Sequence, residues 1–169
     1  MKLKRMQKIA ASALLAAIIC VATFIVKIPS PATNGYFNLG DCFVLLAGWL
    51  LGPVYGAMAA GLGSALADMF SGYITYAPAT FLIKGSMALI AFVCVKLMNQ
   101  RIGKLPSQII GAVLAEIVMV LGYYVFEGFM YGFIPSAVNI PANAVQGAAG
   151  LILGIILVKV FEGLKISFE

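Results

Sequence analysis

The sequence predicts an all-α integral membrane protein with six transmembrane helices, and three observations support this fold class. Of its 169 residues, 63% are hydrophobic and only 10% are charged, whereas soluble domains carry about 25% charged residues. The mean hydropathy is +1.06. The uncharged segments are long enough for membrane-crossing helices, which need about 20 apolar residues each. This composition excludes a soluble enzyme and a disordered chain, and we expect one domain over residues 1–169.

The first three spans follow from two uncharged segments. Span one is predicted over 9–26, and it is too long for the apolar region of a cleavable signal. The next uncharged segment contains Gly52-Pro53. Because proline removes a backbone donor and disfavours helix in the residue before it, this segment is predicted to form two spans, a short one over 39–51 and another over 54–70.

Three further spans complete the prediction. Span four is expected over 77–98 and span five over 107–130. Span six is predicted to run from Asn139 or Ile140 to about Phe161, because a proline then falls in the first turn of the helix, where its missing N–H costs nothing.

The basic residues predict the orientation. Retained positive charge marks the cytoplasmic side of a membrane protein, and all but two of the 11 lysines and arginines fall on one side of the predicted spans. The exceptions are Lys27, at the opposite end, and Lys84, inside a span. We therefore expect an even number of spans with both termini in the cytoplasm. The residues on the cytoplasmic side are Lys2, Lys4, Arg5, Lys8, Lys96, Arg101, Lys104, Lys159 and Lys165.

Six of the seven tyrosines fall near predicted outer ends, and only Tyr55 lies within a span. An interfacial belt would place aromatic residues at both faces of the membrane. The one-sided distribution therefore favours an outward-facing aromatic pocket, with a belt as the alternative. The six are Tyr36, Tyr73, Tyr76, Tyr123, Tyr124 and Tyr131.

The residue types of common catalytic and metal chemistry are missing or scattered. The chain has no histidine and three cysteines, and Cys20, Cys42 and Cys94 lack metal-ligand spacing. It also lacks a Walker sequence, so it has no P-loop for ATP. We expect a protein that is not an enzyme and that holds no metal and no covalently bound cofactor.

Ionisable groups inside spans are costly unless paired or hydrated, so each one is a functional hypothesis. Asp41 begins a short span, where a carboxylate can cap backbone N–H groups, and capping is the role we predict for it. Asp68 and Lys84 can lie at one depth. We expect them to form an ion pair, with a structural or a substrate-binding role.

Spans five and six each carry a polar face. Glu116, Tyr123 and Glu127 are seven and four residues apart, which places them on one side of span five. The last two lie nearer the outer mouth. Span six has three amides with i, i+4, i+7 spacing, which either line a polar pocket or cap the helix and cross-link its neighbours. The three are Asn139, Asn143 and Gln146.

Span one carries an Ala-x-x-x-Ala step at Ala13 and Ala17. Small residues at this spacing form a smooth ridge along which another helix can approach closely. Internal packing and a surface for a partner protein both remain open as its role.

These residues resemble a known family, the substrate-binding S components of energy-coupling factor (ECF) vitamin transporters. The resemblance extends nearly end to end, and its strings are typical of riboflavin, pyridoxine and hydroxymethylpyrimidine S components. They are the alanine step, Phe37-Asn-Leu-Gly-Asp41, Leu51-Gly-Pro-Val-Tyr-Gly56, Gly63-Ser-Ala-Leu-Ala-Asp68 and Ala77-Pro-Ala-Thr-Phe-Leu-Ile-Lys-Gly85.

The resemblance implies a division of labour in a prokaryotic plasma membrane. The S component captures a vitamin from outside with high affinity, and it topples when docked on a transmembrane coupling subunit that works with two ATPases. Ala13 and Ala17 would contact the coupling subunit, and the partner subunits would use the ATP. The loop from Ile28 to Asn38 is expected to act as a lid. No nucleic acid is expected as a partner.

Ligand contacts differ among family members, so we predict them from position. Residues near the loop ends of the outer half can stack aromatic rings on a flat ligand and select its substituents with amides and charges. Pyridoxine or hydroxymethylpyrimidine is the expected ligand, and riboflavin is the next choice. The alternative function is an autonomous proton-coupled carrier or channel with an ion path through Asp68, Lys84 and Glu116. The predicted contacts are Asn38, Tyr73, Tyr76, Lys84, Tyr123, Glu127, Asn139 and Asn143.

Overall fold

The computed structural model describes residues 5–25, 28–29 and 36–163, and it confirms the helical fold class. The predictions for Lys2, Lys4, Lys27 and Lys165 lie outside these residues. The elements in chain order are α1 (Arg5–Ile25), β1 (Ile28–Pro29), β2 (Tyr36–Phe37), α2 (Asp41–Phe70), α3 (Ala77–Ile102), α4 (Lys104–Tyr131), α5 (Phe133–Ala137) and α6 (Ile140–Gly163).

The two strands form a two-residue antiparallel ladder that the sequence did not predict. Ile28 pairs with Phe37 and Pro29 with Tyr36. The ladder joins the two ends of the predicted lid loop, while residues 30–35 of that loop lie outside the described part of the chain. β2 also contacts α6, so one end of the predicted lid loop lies against the last helix.

Four long helices agree with predicted spans. The bounds of α1, α3, α4 and α6 lie within about four residues of spans one, four, five and six. The short helix α5 occupies the connection before α6 and was not predicted. Within the described chain, five helical segments are long and apolar enough to cross a membrane, the last of them joining α5 to α6. Two of the predicted spans, the second and third, fall within the single element α2.

α2 contains a reversal of chain direction at Gly52. This residue has φ 78° and ψ −172°, which are not helical angles, and Pro53 follows it. A Cβ atom on Gly56 would lie 2.5 Å from the carbonyl oxygen of Ala47, although nine residues of a straight helix extend about 13 Å. The segments before and after Gly52 therefore pack against each other as antiparallel helices, and the predicted break at Gly52-Pro53 is confirmed.

α2 is the centre of the packing, and it contacts α1, α3 and α6. Small residues allow these close approaches, because a Cβ on Gly48 would overlap the backbone of Ala88 in α3, and one on Gly63 would overlap Ala16 in α1. The first half of α2 is almost fully buried. Its beginning carries Asp41 into the middle of the helices, and the polar residues of α3, α4 and α6 gather around that point.

Candidate functional site

A buried ion pair lies where the beginning of α2 meets α3 and α6. Lys84 Nζ contacts Asp41 Oδ1, and these side chains are 1% and 0% exposed. Gln146 Nε2 donates to Asp41 Oδ2 at 2.7 Å, and its Oε1 accepts from the backbone N–H of Asn38 at 2.8 Å. Both oxygens of Asp41 are therefore occupied, and the chain entering α2 is tied to α6.

The predicted Asp68–Lys84 pair is wrong, because Lys84 pairs with Asp41. Position along the spans allowed either carboxylate to reach the lysine. The contact of Gly48 with Ala88 places the first half of α2 against the face of α3 that carries Lys84. That contact brings the start of α2, rather than its end, to the ammonium group. Asp68 is also buried, at 4% exposure.

The predicted capping role of Asp41 is also wrong. The N-cap of α2 is Gly40, and no side chain caps the helix. Asn38 Oδ1 instead accepts from the backbone N–H of Gly40 at 2.8 Å. The carboxylate of Asp41 turns toward Lys84, since a hydrogen bond between two charged groups is stronger than one to a neutral amide.

A second polar cluster surrounds Glu127 of α4. The hydroxyl of Tyr76 donates to Glu127 Oε1 at 3.2 Å, and Asn139 Nδ2 donates to Oε2 at 2.8 Å. All three side chains are buried. This cluster joins the start of α3, the end of α4 and the residue before α6, which are three points that are distant in the sequence.

Aromatic groups connect the two clusters. Thr80 Oγ1 and the Tyr123 hydroxyl are 3.1 Å apart, and Lys84 Nζ lies 5.5 Å from the centre of the Tyr123 ring. Tyr76 packs edge to face on Phe126, with ring centres 5.2 Å apart. Tyr73 is half-buried and packs in the same way on Tyr76 at 6.2 Å. The site therefore combines aromatic rings with charged and amide groups.

A buried carboxyl group beside this network makes no hydrogen bond within the described chain. Glu116 is 6% exposed, and neither of its oxygens has a partner. Asn143 is also buried, at 7% exposure, on the face of α6 that carries Gln146. Buried polar groups are almost always satisfied by protein, water or ligand. Glu116 is therefore an unsatisfied carboxyl group next to the central cluster, packed against Gly147 and Gly150 of α6.

The structure gathers the predicted contacts in one region. Asn38, Lys84 and Tyr123 belong to the central cluster and its aromatic neighbour, while Tyr76 and Glu127 belong to the second cluster. Tyr73 packs on Tyr76 of the second cluster, and Asn139 donates a hydrogen bond within it. Asn143 shares the buried face of α6 with Gln146.

Gln146 and Asp41 are central to the network but were absent from the predicted contacts. The signal for Gln146 was its place in the i, i+4, i+7 pattern of amides, which made it equivalent to Asn143 by sequence. The signal for Asp41 was a charge inside an apolar region, which was assigned to capping. Neither pattern indicates which helix faces the residue. The hydrogen-bond partner of each side chain could therefore be identified only from the packing of the helices.

The alanine step of α1 lies on the outer surface of the structure. Ala13 and Ala17 are exposed, whereas Leu15 and Ile19 of the same helix are buried in the core. Other small residues of α1 pack internally, among them Ala11 and Ala16, and Ala16 lies against Gly63. The step is therefore available to another protein, and docking of the coupling subunit there remains a prediction.

The site has the groups for binding and lacks a metal-binding arrangement. In the described part of the chain, no group of three or more histidine, cysteine, aspartate or glutamate residues is placed to hold a metal ion. The carboxylates and amides supply hydrogen-bond acceptors and donors, and the tyrosines supply ring faces. This combination suits a small polar molecule with an aromatic ring.

The comparisons with known proteins agree with this geometry. Residues 3–162 match the family model of the ECF-type riboflavin transporter, S component. A solved structure described as that of the S component of a bacterial ECF transporter superposes with a TM-score of 0.77 at 28% identity, covering 95% of this chain and 98% of the other.

Two curated proteins are similar in sequence. The thiamine precursor transporter HmpT of Lactococcus lactis subsp. cremoris (strain MG1363) is 25% identical over 160 residues, which are 94% of this chain and 90% of HmpT. An uncharacterized protein in a gap 3′ region of Pyrococcus woesei is 38% identical over 136 residues, 80% of this chain and 88% of that protein. The chain thus belongs to the family of ECF-type riboflavin transporter S components, which are substrate-binding membrane subunits of vitamin transporters.

Proposed function

We propose that this chain is the high-affinity capture subunit of an ATP-driven ECF importer for a water-soluble vitamin or vitamin precursor. The observation that carries the proposal is the buried network of charged, amide and aromatic groups, which joins residues of α2, α3, α4 and α6 around Asp41 and Glu127. A membrane protein without a ligand or an ion to bind gains little from such a network, because polar groups at this depth are costly.

Hydroxymethylpyrimidine or pyridoxine is the ligand class that we favour. Both are compact aromatic rings with several hydrogen-bonding substituents. The rings of Tyr76 and Tyr123 supply stacking surfaces, and Glu127, Asn139 and Asn143 supply polar contacts. The similarity to a transporter of a thiamine precursor supports the pyrimidine.

Riboflavin is the second candidate, and the name of the matching family model favours it. Its tricyclic ring needs a larger opening than either of the smaller vitamins. In the described structure Tyr76 and Asn139 each donate a hydrogen bond to Glu127. A tricyclic ligand would therefore have to separate more of these contacts than a single ring would.

We propose six spans with both termini in the cytoplasm of a prokaryotic cell. The two antiparallel segments of α2 then count as separate spans, which gives the even number that the basic residues require. Lys104 at the start of α4 forms an ion pair with Glu162 at the end of α6, with 2.8 Å between Nζ and Oε1. These two helix ends therefore lie on the same side of the helical bundle, as the arrangement requires.

The partners in this proposal are a transmembrane coupling subunit and two ATPases. Ala13 and Ala17 lie on the exposed face of α1, where small side chains permit close helix contact. The coupling subunit would pack on that ridge, and the ATPases would supply the energy that this chain does not obtain from ATP itself.

An autonomous proton-coupled carrier or channel is the alternative function, and the unpartnered Glu116 carboxyl favours it. A carrier of this kind needs ionisable groups that bind and release protons along a path. In the structure, however, Lys84 is held by Asp41 rather than by Asp68, which interrupts the path that the sequence suggested.

Binding by the isolated protein tests the proposal. The purified chain in detergent or nanodiscs is titrated by calorimetry with hydroxymethylpyrimidine, pyridoxine and riboflavin, and mass spectrometry identifies any ligand that copurifies. We expect saturable binding of one vitamin with about one site per chain. Absence of binding by all three, together with an empty protein, would contradict vitamin capture. The Glu162→Gln variant, at the far end of α6, serves as a control with unchanged affinity.

A further inference from the structure

A cavity of about 360 Å³ lies at the end of the bundle where α3 connects to α4. Its walls come from the segment of α2 before Gly52, the end of α3 and the start of α4. It shares no lining residue with the two polar clusters of the candidate site. The residues that line it include Trp49, Phe92, Lys96, Asn99, Gln100 and Lys104.

One face of α3 changes from apolar to polar along this cavity. Lys96 and Asn99 follow Phe92 by four and seven residues, so the three side chains share one side of the helix. The ammonium group of Lys96 lies 5.9 Å from the centre of the Phe92 ring. The lysine stem therefore runs back along an apolar wall, as lysines at a membrane interface do, and the positive charge stays beside the cavity.

The charged groups that line the cavity are basic. Lys96 makes no ion pair among the described residues, whereas Lys104 is paired with Glu162. Asn99 and Gln100 add amide N–H donors, and none of the described lining residues is acidic. The cavity thus combines a positive charge and hydrogen-bond donors with apolar walls. Its complement is an anionic group attached to an apolar one.

Phospholipids with an anionic head group have this chemistry and are next to the cavity. α2, α3 and α4 are each long and apolar enough to cross a membrane, and Val93 and Leu97 of α3 are exposed, which supplies an apolar surface for acyl chains. In the proposed orientation this end faces the cytoplasmic leaflet, where basic pockets between helices bind anionic head groups. The volume of the cavity suits a small ligand or a head group.

We propose that this cavity is a binding site for the head group of an anionic phospholipid, and that Lys96 is the main contact of its phosphate. The rings of Trp49 and Phe92 pack on the part of the lipid that joins the head group to the acyl chains, a depth at which aromatic side chains are favoured. The lipid then fills the junction between α2, α3 and α4. This inference does not depend on which vitamin the chain binds, or on whether it binds one.

Trp49 allows a direct test, because it is the only tryptophan of the chain and it lines the cavity. The full chain is placed in nanodiscs that contain phosphatidylcholine and phosphatidylglycerol, and either one lipid or the other carries bromine on its acyl chains near the head group. Bromine quenches tryptophan fluorescence at short range. Both leaflets have the same composition, so the result is independent of the orientation of the chain.

At equal mole fraction, phosphatidylglycerol should be enriched about fivefold over phosphatidylcholine at Trp49, which is the usual effect of one lysine on an anionic lipid. Equal quenching by the two brominated lipids would show that the cavity does not select a head group. Quenching by neither would show that lipid does not reach it. Either result would overturn the proposal.

Three variants assign the preference to Lys96. Lys96→Gln removes the charge and should reduce the enrichment to less than about twofold, whereas Lys96→Arg keeps the charge and should retain the enrichment. Arg101→Gln is the matched control, because Arg101 is exposed at the end of α3 and is not among the lining residues. A preference that survives in Lys96→Gln, or that falls equally in Arg101→Gln, would indicate a general effect of surface charge and reject the site.

Competition with a soluble anion distinguishes lipid from free phosphate. Inorganic phosphate in excess, added at constant ionic strength, should leave the quenching by brominated phosphatidylglycerol unchanged, since the acyl chains also hold the lipid at the cavity. Recovery of Trp49 fluorescence with phosphate would show that the site binds a soluble anion, and it would overturn the assignment to a lipid.

Discussion

At the scale of single residues, the contact between Lys84 and Asp41 has the largest electrostatic consequence. Both side chains are almost completely buried, so each charge depends on the other for compensation. A buried pair of this kind contributes little compared with apolar residues, but removal of one partner leaves a charge without compensation. The pair therefore makes the start of α2 sensitive to substitution.

Replacement of Lys84 by methionine should lower the free energy of unfolding by about 3–5 kcal/mol, because Asp41 then remains as an unpaired buried charge. Thermal melting of the purified variant in detergent measures the effect. The double variant Asp41→Asn, Lys84→Met removes both charges and should recover most of the loss. A single variant that melts like wild type would contradict the observed pairing.

Asn143 provides a second prediction at this scale. Its side chain lies on the buried face of α6, but the hydrogen bonds that tie this face to the start of α2 come from Gln146, so Asn143→Ala should change the melting temperature little. Binding of the vitamin should weaken by about 1–3 kcal/mol, the usual effect of leaving a buried ligand group without its partner. Titration calorimetry measures the change, with the exposed Asn99→Ala as the control. Wild-type affinity in Asn143→Ala would remove this residue from the site.

At the scale of elements, the reversal within α2 creates the site. The segment before Gly52 brings Asp41 between α3 and α6, and the segment after it returns alongside and packs on α1. The conformation of Gly52, with φ 78° and ψ −172°, belongs to a region that is essentially restricted to glycine. Glycine is therefore required at position 52 by the backbone conformation. Steric room is not the reason, since the nearest atom to a Cβ there would be 3.9 Å away.

Gly52→Ala should reduce the free energy of unfolding by about 1–3 kcal/mol through backbone strain alone. Gly85→Ala is the matched control, because Gly85 lies within α3 and a Cβ there would meet its nearest neighbour, the carbonyl oxygen of Ala57, at 3.4 Å. The control should be neutral or stabilised by up to about 1 kcal/mol. Chemical or thermal unfolding of the two variants compares them. Equal stabilities would contradict the backbone conformation observed at Gly52.

The exposed ridge of α1 leads to a prediction about assembly. Ala13→Leu should weaken copurification with the coupling subunit and reduce transport, because the larger side chain separates helices that pack on small residues. Vitamin binding by the isolated chain should be unchanged, since Ala13 is exposed and takes no part in the polar clusters. Ser86→Leu, at an exposed position of α3, is the control for a bulky substitution. Loss of vitamin binding in Ala13→Leu would contradict a pure docking role.

At the scale of the whole molecule, the sequence predicted most helices and the break in α2. Long apolar segments and Gly52-Pro53 are local features, so their consequences can be read without knowledge of the packing. The partner of Lys84 was predicted incorrectly because Asp41 and Asp68 are equivalent by charge and depth. Only the lateral arrangement of helices distinguishes them, and a single sequence contains little information on that arrangement.

The candidate site was predictable in part for the same reason. Periodicity placed Glu116 and Glu127 on one face of predicted span five and three amides on one face of predicted span six, and the structure has these residues buried. It did not predict that Gln146 would bind Asp41 while Asn139 would bind Glu127. Equivalent amides on one helix acquire different roles from the side chains that face them.

Transport by reconstituted vesicles tests the central claim most directly. Vesicles contain either this chain alone or the chain with its coupling subunit and both ATPases, and uptake of labelled hydroxymethylpyrimidine, pyridoxine and riboflavin is followed with and without internal ATP. We predict that the chain alone binds about one vitamin per molecule without accumulation, even under a proton gradient, whereas the complete complex accumulates the vitamin only with ATP. Sustained accumulation by the chain alone would contradict this account and establish an autonomous carrier.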